Sequence, residues 1–196
     1  MRHVAMTVVA AVLAAGLLGC EPTKTGSTQG TPAMAAKMVM RVNAGDEKPY
    51  TDSNGAVWLA DREYDAAAKY GALGGKIVTR DTLPSLAGSK DSRLYLTEHY
   101  GLSGYRFDLP NGKYTLRLHF CETFDGVQEA GGRVFCIMIQ GKLAIPNFDV
   151  FKAAGGFAKP VIKEFKNVEV TDGKLLIEFV QRVQSPEINA IEVLGE

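Results

Sequence analysis

The sequence lacks the features that mark several large classes of protein. It has three cysteines in 196 residues, at positions 20, 121 and 136, too few for a disulfide scaffold and without the CxxC pair of zinc or redox sites. The 22 basic and 22 acidic side chains cancel, and no dense Lys/Arg block offers the cationic surface that nucleic-acid phosphates require. The sequence contains no DxDxDG run of the kind that forms a calcium-binding loop. We therefore expect no nucleic-acid partner, no metal and no cofactor.

The composition favours many short strands. After the first twenty residues there is no long apolar run, whereas glycine (21), tyrosine (7) and phenylalanine (9) are frequent. Residues 105–109 and 114–120 alternate, which places their apolar side chains on one face of each strand. Further strands are predicted over residues 38–43, 93–98, 133–140, 161–170, 175–180 and 188–194, and one short helix over 61–70. The fold class predicted is all-β, an antiparallel β-sandwich of jelly-roll type.

Two segments have the chemistry of tight turns. Pro110-Asn111-Gly112 and Thr171-Asp172-Gly173 each lie between two predicted strands. Asn-Gly and Asp-Gly pairs accept the positive φ that two-residue hairpins demand. We therefore predict that each segment joins a pair of hydrogen-bonded neighbouring strands.

Residues 1–19 are predicted to be a lipoprotein signal peptide. Arg2 supplies a positive start, an uncharged apolar run follows, and the run ends in Leu-Leu-Gly before Cys20, which resembles the lipobox of bacterial lipoproteins. Cleavage there would leave Cys20 as a lipid-bearing N-terminus. An unmodified secretory signal or a short anchor helix is the alternative.

Residues 20–37 then form the lipidated cysteine and a linker. The segment is rich in Thr, Gly, Ser and Pro and has almost no large apolar groups, so it is expected to be flexible. Glu21 after the cysteine favours the outer over the inner membrane, by resemblance to enterobacterial sorting. The expected location is the cell envelope, with a domain over 38–196 tethered to a membrane.

Blocks of this domain together resemble the malectin domain. They are RVNAG at 41–45, WLAD at 58–61, KYG at 69–71, LYLTEHY at 94–100, YTLRLHFCE at 114–122, RVF at 133–135, IQG at 139–141, FDVF at 148–151 and INAIEV at 188–193. The resemblance implies a β-sandwich that binds carbohydrate without catalysis. The founding member recognises a glucose disaccharide, and relatives occur in plant receptor ectodomains and beside bacterial glycan-degrading enzymes. The partners implied are a glycan and a carbohydrate-active enzyme.

The same resemblance implies a sugar site on loops at one edge of the sandwich. Its aromatic faces would be Tyr70, Tyr100 and Phe124. Asp125 stands where the family's sugar binder has a second aromatic residue. The family also has an aspartate late in the domain, which aligns here with Gln184 or Ser185, so no acid is present at that position. Flat aromatic groups that stack on a pyranose, with a few two-sided polar groups, are what a sugar requires.

Other interpretations remain open from the sequence. The fold could serve as a structural or protein-recognition module, and Glu98 with Glu122 could act as the carboxylate pair of a glycosidase. His99 and His119 lie in no triad-like signature. Trp58 is expected in the core. Cys121 and Cys136 could form a disulfide or remain two unpaired side chains.

Overall fold

Two sheets packed face to face make up most of the molecule. The computed structural model describes residues 37–83, 86 and 90–196; the predicted leader, and the predicted linker apart from Lys37, lie outside this part. The first sheet has six strands, in spatial order β11 (Pro160–Val170), β8 (Gly112–Cys121), β14 (Ala190–Gly195), β1 (Lys37–Asn43), β3 (Val57–Ala60) and β2 (Tyr50–Thr51). All its pairings are antiparallel except that of β1 with β3.

A second sheet of five antiparallel strands forms the other layer. Its spatial order is β10 (Lys142–Asp149), β9 (Val134–Ile139), β12 (Lys174–Val183), β7 (Gly104–Asp108) and β4 (Tyr70–Leu73). A small third sheet contains β13 (Glu187–Ile188), β6 (Thr97–Tyr100) and β5 (Lys76–Thr79), and the two short helices are α1 (Arg93–Leu96) and α2 (Val150–Ala154). The predicted all-β sandwich is confirmed.

The core lies between the two large sheets because alternate residues of their strands point inward. Leu116, Leu118 and Phe120 of β8 are fully buried, as are Tyr105 and Phe107 of β7. Edge-to-face aromatic pairs pack within this core, with ring centroids about 5–6 Å apart, a geometry that such pairs prefer. Phe120–Phe148 links the two layers, and Phe135–Phe148 and Phe135–Phe179 lie within the second sheet. The predicted inward faces of 105–109 and 114–120 are confirmed.

Trp58 belongs to a second, smaller apolar cluster. It is 4% exposed and packs with Leu94 and Ala190, and its ring N–H donates to the Asp52 carboxylate at 3.0 Å. The expectation that this tryptophan is a packing residue is confirmed.

The two predicted tight hairpins are wrong, because both turns cross from one sheet to the other. The 110–112 turn joins β7 of the second sheet to β8 of the first, and the 171–173 turn joins β11 of the first to β12 of the second. The Asn111 side chain links the turns, accepting from the Gly173 N–H at 2.8 Å and donating to the Thr171 carbonyl at 2.9 Å. Turn residues reverse the chain but do not specify which strands pair.

A tight hairpin occurs instead at Gln140-Gly141, between β9 and β10. Both residues have positive φ, 52° and 68°, as the commonest two-residue hairpin turn requires. Ile139 pairs with Lys142 on either side.

Two helix and strand predictions also need correction. Residues 61–70 form no helix. A turn over 66–69 is closed by the Lys69 N–H, which donates to the Asp65 carbonyl at 2.8 Å, and Tyr70 begins β4. The Asp65 carboxylate accepts from Ala67 N–H, and such local bonds compete with helix formation. The predicted strand over 93–98 begins instead as α1 and becomes β6 only at Thr97.

Candidate functional site

A cleft of about 240 Å³ opens where the small sheet meets the loops that follow β8 and precede β13. Its wall is formed by Val78, Arg80, Glu98, Tyr100, Phe124, Arg133, Gln184 and Ser185. The wall therefore combines aromatic surface with charged and amide groups.

The small sheet supplies one side of this cleft through simple alternation. Val78 of β5 lies opposite Glu98 of β6 in the register. Since side chains two residues apart share a face, Arg80 projects on the side of Val78, and Tyr100 on the side of Glu98. The Arg80 N–H donates to the Leu96 carbonyl at 2.7 Å, which extends the pairing one residue beyond β5.

Phe124 stands on the opposite side, in the loop after β8. Its backbone N–H donates to Glu122 Oε1 at 3.0 Å, and its carbonyl accepts from the Val127 N–H at 2.9 Å to close a turn. The side chain is 40% exposed. Its ring lies directly on Gly126, where an added Cβ would be 2.3 Å from the Phe124 Cε1 atom. Glycine therefore permits this ring position.

A buried ion pair forms the floor. Arg133 Nε donates to Glu122 Oε2 at 2.6 Å and its Nη2 donates to Oε1 at 3.2 Å, while Nη1 donates to the Ser185 carbonyl. The side chains are 3% and 0% exposed. Burial alone would lower the pKa of Arg133, but the bond to Glu122 and the nearby carboxylates raise it overall. The pair ties the Phe124 loop to the 184–186 loop.

A looser group of side chains lies at the rim. Glu98 Oε2 accepts from the Thr123 hydroxyl at 2.5 Å, and its Oε1 accepts from Arg80 Nη2 at 3.4 Å. Arg80 Nε also donates to the Thr123 hydroxyl at 3.3 Å. Burial raises the pKa of Glu98, against the opposing effects of Thr123 and Arg80. The Arg80 side chain is 25% exposed.

Glu187 adds a carboxyl group beside this cluster. It is fully buried, and among the described residues neither of its carboxyl oxygens has a hydrogen-bond partner of ordinary geometry. Burial, with the nearby charge of Glu98, raises its pKa well above the usual value. Burial therefore favours the neutral form of this carboxyl group over the charged form.

Three of the five residues predicted for the sugar site line the cleft: Tyr100, Phe124 and Gln184. Asp125 follows Phe124 in the loop but is exposed and forms no part of the wall. The backbone of Gln184 has a φ of 57°, and its side-chain oxygen accepts from the Ser185 N–H at 3.0 Å.

The prediction that Tyr70 stacks on a sugar is wrong. It is 7% exposed, its ring stacks on Phe107 with centroids 6.5 Å apart, and its hydroxyl donates to the Ala60 carbonyl at 2.9 Å. It begins β4 and points into the core, so it cannot stack on a sugar in this structure. The glycine that follows it suggested a loop, but Gly71 is itself a strand residue.

Sequence reasoning missed three residues of the wall: Val78, Arg80 and Arg133. Ser185 was one of the two positions matched to the family's late aspartate. The β-branched residues at 77–79 are typical of a strand, and a strand there would place Val78 and Arg80 on one face. Nothing in the sequence indicated which strand would pair with β5, and that pairing brings Arg80 to Glu98.

The residues that suggested catalysis have structural partners. Each oxygen of Glu98 and of Glu122 accepts at least one hydrogen bond from the protein. His99 Nδ1 lies 2.7 Å from Asp61 Oδ2 and its Nε2 lies 3.1 Å from the Gly74 carbonyl, both acceptors. His119 contacts the Tyr95 hydroxyl and the Glu192 carboxylate.

Cys121 and Cys136 are both free and buried, so the alternative of two unpaired side chains is confirmed. Cys121 ends β8 in the first sheet, whereas Cys136 lies in β9 of the second. Among the residues that the structure describes, no cluster of three or more His, Cys, Asp or Glu side chains could hold a metal ion. Within the same part of the chain, no helix has the length and apolarity to cross a bilayer.

Residues 38–191 match the malectin domain family. The chain belongs to the malectin domain family. A probable receptor-like protein kinase of Arabidopsis thaliana is 33% identical over 159 residues, which cover 71% of this chain and 18% of that protein. A probable leucine-rich-repeat receptor-like serine/threonine kinase of the same plant is 36% identical over 125 residues, 55% of this chain and 12% of that protein. The chain thus spans less than a fifth of these relatives.

Several solved structures superpose on this chain. A Bacteroides uniformis β-glucuronidase superposes with a TM-score of 0.71 and 25% identity over 80% of this chain and 18% of that one. The extracellular domain of ANXUR1 from Arabidopsis thaliana superposes with a TM-score of 0.64 and 20% identity, over 81% of this chain and 48% of that one. The complex of the plant peptide RALF23 with FER and LLG2 superposes with a TM-score of 0.64 and 19% identity, also over 81% of this chain and 48% of the matched chain. The plant structures establish the fold.

Proposed function

We propose that the cleft binds a saccharide without catalysis. The observation that carries the proposal is the pairing, in one small cleft, of the aromatic faces of Tyr100 and Phe124 with the polar groups of Arg80, Glu98 and Gln184. Sugars present apolar C–H faces and a rim of hydroxyls, so a binder needs both kinds of surface. The volume lies just below the range of about 300–1,000 Å³ typical of drug-sized ligand sites, which suits one or two sugar rings.

The carboxylates favour binding over hydrolysis. A glycosidase needs two carboxyl groups that flank the scissile bond, one as acid and one as base or nucleophile. Glu122 is fully buried and held by Arg133, and Glu98 is 4% exposed and bonded to Thr123. Neither therefore presents a free carboxylate to a bound saccharide.

Titration calorimetry with a panel of neutral and acidic oligosaccharides tests the proposal. Phe124→Ala and Tyr100→Ala are each expected to weaken binding about tenfold or more, because covering one aromatic face contributes about 1.5–3 kcal/mol. Tyr64→Ala removes an aromatic that contacts Arg106 and Asp108 outside the cleft and should leave the affinity unchanged. A folded protein that binds no saccharide would refute the proposal.

Recognition of a peptide is the second candidate. It rests on the similarity of this fold to the complex that contains the peptide RALF23. A protein that captures a peptide but no saccharide, with Phe124→Ala abolishing capture, would favour this candidate. A carbohydrate-active enzyme as an additional partner would be tested by co-purification from the native cell.

We also propose that the protein is a bacterial lipoprotein of the cell envelope, held at the outer membrane by lipid on Cys20. The support is the order of positive charge, apolar run, small residue and cysteine in residues 1–20. The full-length protein is expected in the detergent phase after phase partition, and Cys20→Ala in the aqueous phase. Equal partition of the two proteins would refute lipidation, and recovery with the inner membrane would refute the outer-membrane assignment.

A further inference from the structure

We propose that the saccharide bound in this cleft carries a carboxylate, as a uronic acid does, and that Arg80 binds that carboxylate. The inference rests on the proposed saccharide-binding function and names the class of saccharide. It starts from the difference in hydrogen bonding between the two arginines of the cleft wall.

Arg133 presents almost no surface to an anion. Its Nε and Nη2 atoms donate to both oxygens of Glu122, and its Nη1 donates to the Ser185 carbonyl. Its side chain is 3% exposed. A ligand therefore meets Arg133 as part of a buried ion pair in which each arginine nitrogen already donates a hydrogen bond.

Arg80 differs in each respect. Only its Nε and Nη2 atoms make hydrogen bonds among the described residues, and both are long, at 3.3 Å and 3.4 Å. A guanidinium has five N–H donors in a planar fork, so the two on Nη1 and one on Nη2 remain for a ligand. The side chain is 25% exposed and lines the cleft. A guanidinium with a free edge can hold a carboxylate through two parallel bonds.

The carboxyl groups near Arg80 are almost completely buried. Glu98 is 4% exposed and its Oε2 atom accepts a 2.5 Å bond from the Thr123 hydroxyl. Glu187 is fully buried and does not line the cleft. The other polar groups of the wall are the Gln184 amide and the hydroxyls of Tyr100 and Ser185. The accessible charge of the wall is therefore that of Arg80.

The apolar part of the wall strengthens such a contact. Val78, Tyr100 and Phe124 line the cleft together with Arg80. When a sugar ring covers these side chains it displaces water, and charge-assisted hydrogen bonds gain strength as the local dielectric constant falls. A carboxylate at C6 of a ring that stacks on an aromatic lies at the edge of that ring, where a side-chain donor can meet it.

The test is titration calorimetry at low ionic strength with pairs of matched ligands, and it uses the protein from Cys20 to Glu196. The ligands are oligosaccharides that contain glucuronate or galacturonate, each beside the same oligosaccharide with its carboxyl groups reduced to alcohols. At least one acidic ligand is expected to bind about 10- to 100-fold more tightly than its reduced counterpart, as charged hydrogen bonds contribute. Raising the salt concentration should narrow that difference.

Substitutions assign the effect to Arg80. Arg80→Gln is expected to abolish the preference for the acidic ligand while it retains weak binding of the neutral one. Arg80→Lys keeps the charge but not the fork and should retain part of the preference. Arg106→Gln, which removes an exposed cation paired with Asp108 outside the cleft, should retain all of it. Thermal unfolding verifies that each variant folds.

The outcomes separate this inference from the proposed function. If neutral saccharides bind as tightly as acidic ones, or if Arg80→Gln keeps the preference, the carboxylate assignment is overturned and saccharide binding stands. If no saccharide binds the folded protein, both are overturned.

Discussion

Two arginine–glutamate pairs face the same cleft and differ in almost every physical respect. Arg133 and Glu122 lie in the floor, with a 2.6 Å contact and side chains 3% and 0% exposed. Arg80 and Glu98 lie at the rim, with a 3.4 Å contact and an arginine that is 25% exposed. In the first pair all three nitrogens of the arginine donate hydrogen bonds within the protein, whereas among the described residues Nη1 of Arg80 donates none.

The difference separates a structural task from a binding task. Removing one member of a buried pair leaves an uncompensated charge in a medium of low dielectric constant. A partly exposed pair is screened by water and contributes little to stability, so its groups can exchange protein partners for ligand partners at small cost. The floor holds the two loops in place, and the rim contacts what binds between them.

The largest effect on stability is expected from a substitution that breaks the Arg133–Glu122 pair. Arg133→Met leaves the buried Glu122 charge and the Ser185 carbonyl without their partner, and we expect a loss of about 3–5 kcal/mol in the free energy of unfolding. Urea unfolding at neutral pH measures it. Arg117→Met is the control, because Arg117 and Glu164 are 41% and 34% exposed and such a pair contributes about 1 kcal/mol or less.

A second substitution verifies the cause. Adding Glu122→Gln to Arg133→Met removes the unpaired charge, so the double variant should be more stable than Arg133→Met alone. A double variant that loses further stability would show that contacts other than charge compensation dominate at this position.

The next largest effect is expected on the pH dependence of stability, through the buried carboxyl group of Glu187. Because burial raises the pKa of Glu187, the folded protein retains a proton that the unfolded chain releases above about pH 4.3. Stability therefore falls as pH rises from that value towards the folded pKa, by about 1.4 kcal/mol for each pH unit. Glu187→Gln cannot ionise, so it should gain stability over the parent as pH rises from 4.5 until the pH reaches the folded pKa of Glu187.

Unfolding measured across that pH range checks the prediction. The two proteins should be nearly equal in stability at pH 4.5 and should diverge steadily above it. Glu164→Gln serves as control, since the pKa of that exposed carboxyl is lowered by Arg117 and Lys166 rather than raised. A difference between Glu187→Gln and the parent that does not change with pH would contradict a neutral carboxyl at position 187.

A smaller effect tests the rim without touching its charges. In Gly126→Ala the added Cβ would lie 2.3 Å from Phe124 Cε1, so the Phe124 ring has to move. We expect weaker saccharide binding with a change in stability of less than about 1 kcal/mol, in line with other surface substitutions. Gly112→Ala is the matched control, because its Cβ would meet nothing nearer than 3.8 Å. Unchanged binding in Gly126→Ala would show that the ring position does not matter.

The smallest expected effect is on the stability of the rim pair itself. Arg80→Gln should lower the free energy of unfolding by about 1 kcal/mol or less, since the contact is long and partly exposed. Urea unfolding beside Arg133→Met measures the contrast directly. A loss of 3 kcal/mol or more would make the two pairs equivalent and would remove the reason to assign binding to Arg80.

The candidate site could be predicted only where a residue follows a strand and faces away from the core. Tyr100 ends β6 and Phe124 follows β8, and both line the cleft as the sequence indicated. Tyr70 has similar neighbours in the sequence, yet it begins β4 and packs on Phe107. Aromatic type and an adjacent glycine do not distinguish the two cases, because which end of a strand faces solvent depends on its place in the sheet.

The turn segments give the same lesson for the fold. Asn111-Gly112 and Asp172-Gly173 were correctly expected to reverse the chain, but their flanking strands lie in different layers. Of these four residues only Gly173 has a positive φ, 75°, so the residue types predicted a reversal but not its backbone geometry. The pairing of strands depends on which apolar faces cover each other, and that is a property of the whole sandwich.

The sequence by itself therefore determined the all-β class, the inward faces of the strands, the family and two aromatic members of the cleft, because these depend on residue type and on a period of two along single strands. Only the tertiary structure decided that Arg80 meets Glu98, that Arg133 is buried between Glu122 and Ser185, and that the carboxyl oxygens of Glu187 are buried without a hydrogen-bond partner among the described residues. Those contacts join segments distant along the chain, and their charges acquire their properties from the burial and the neighbours that packing creates.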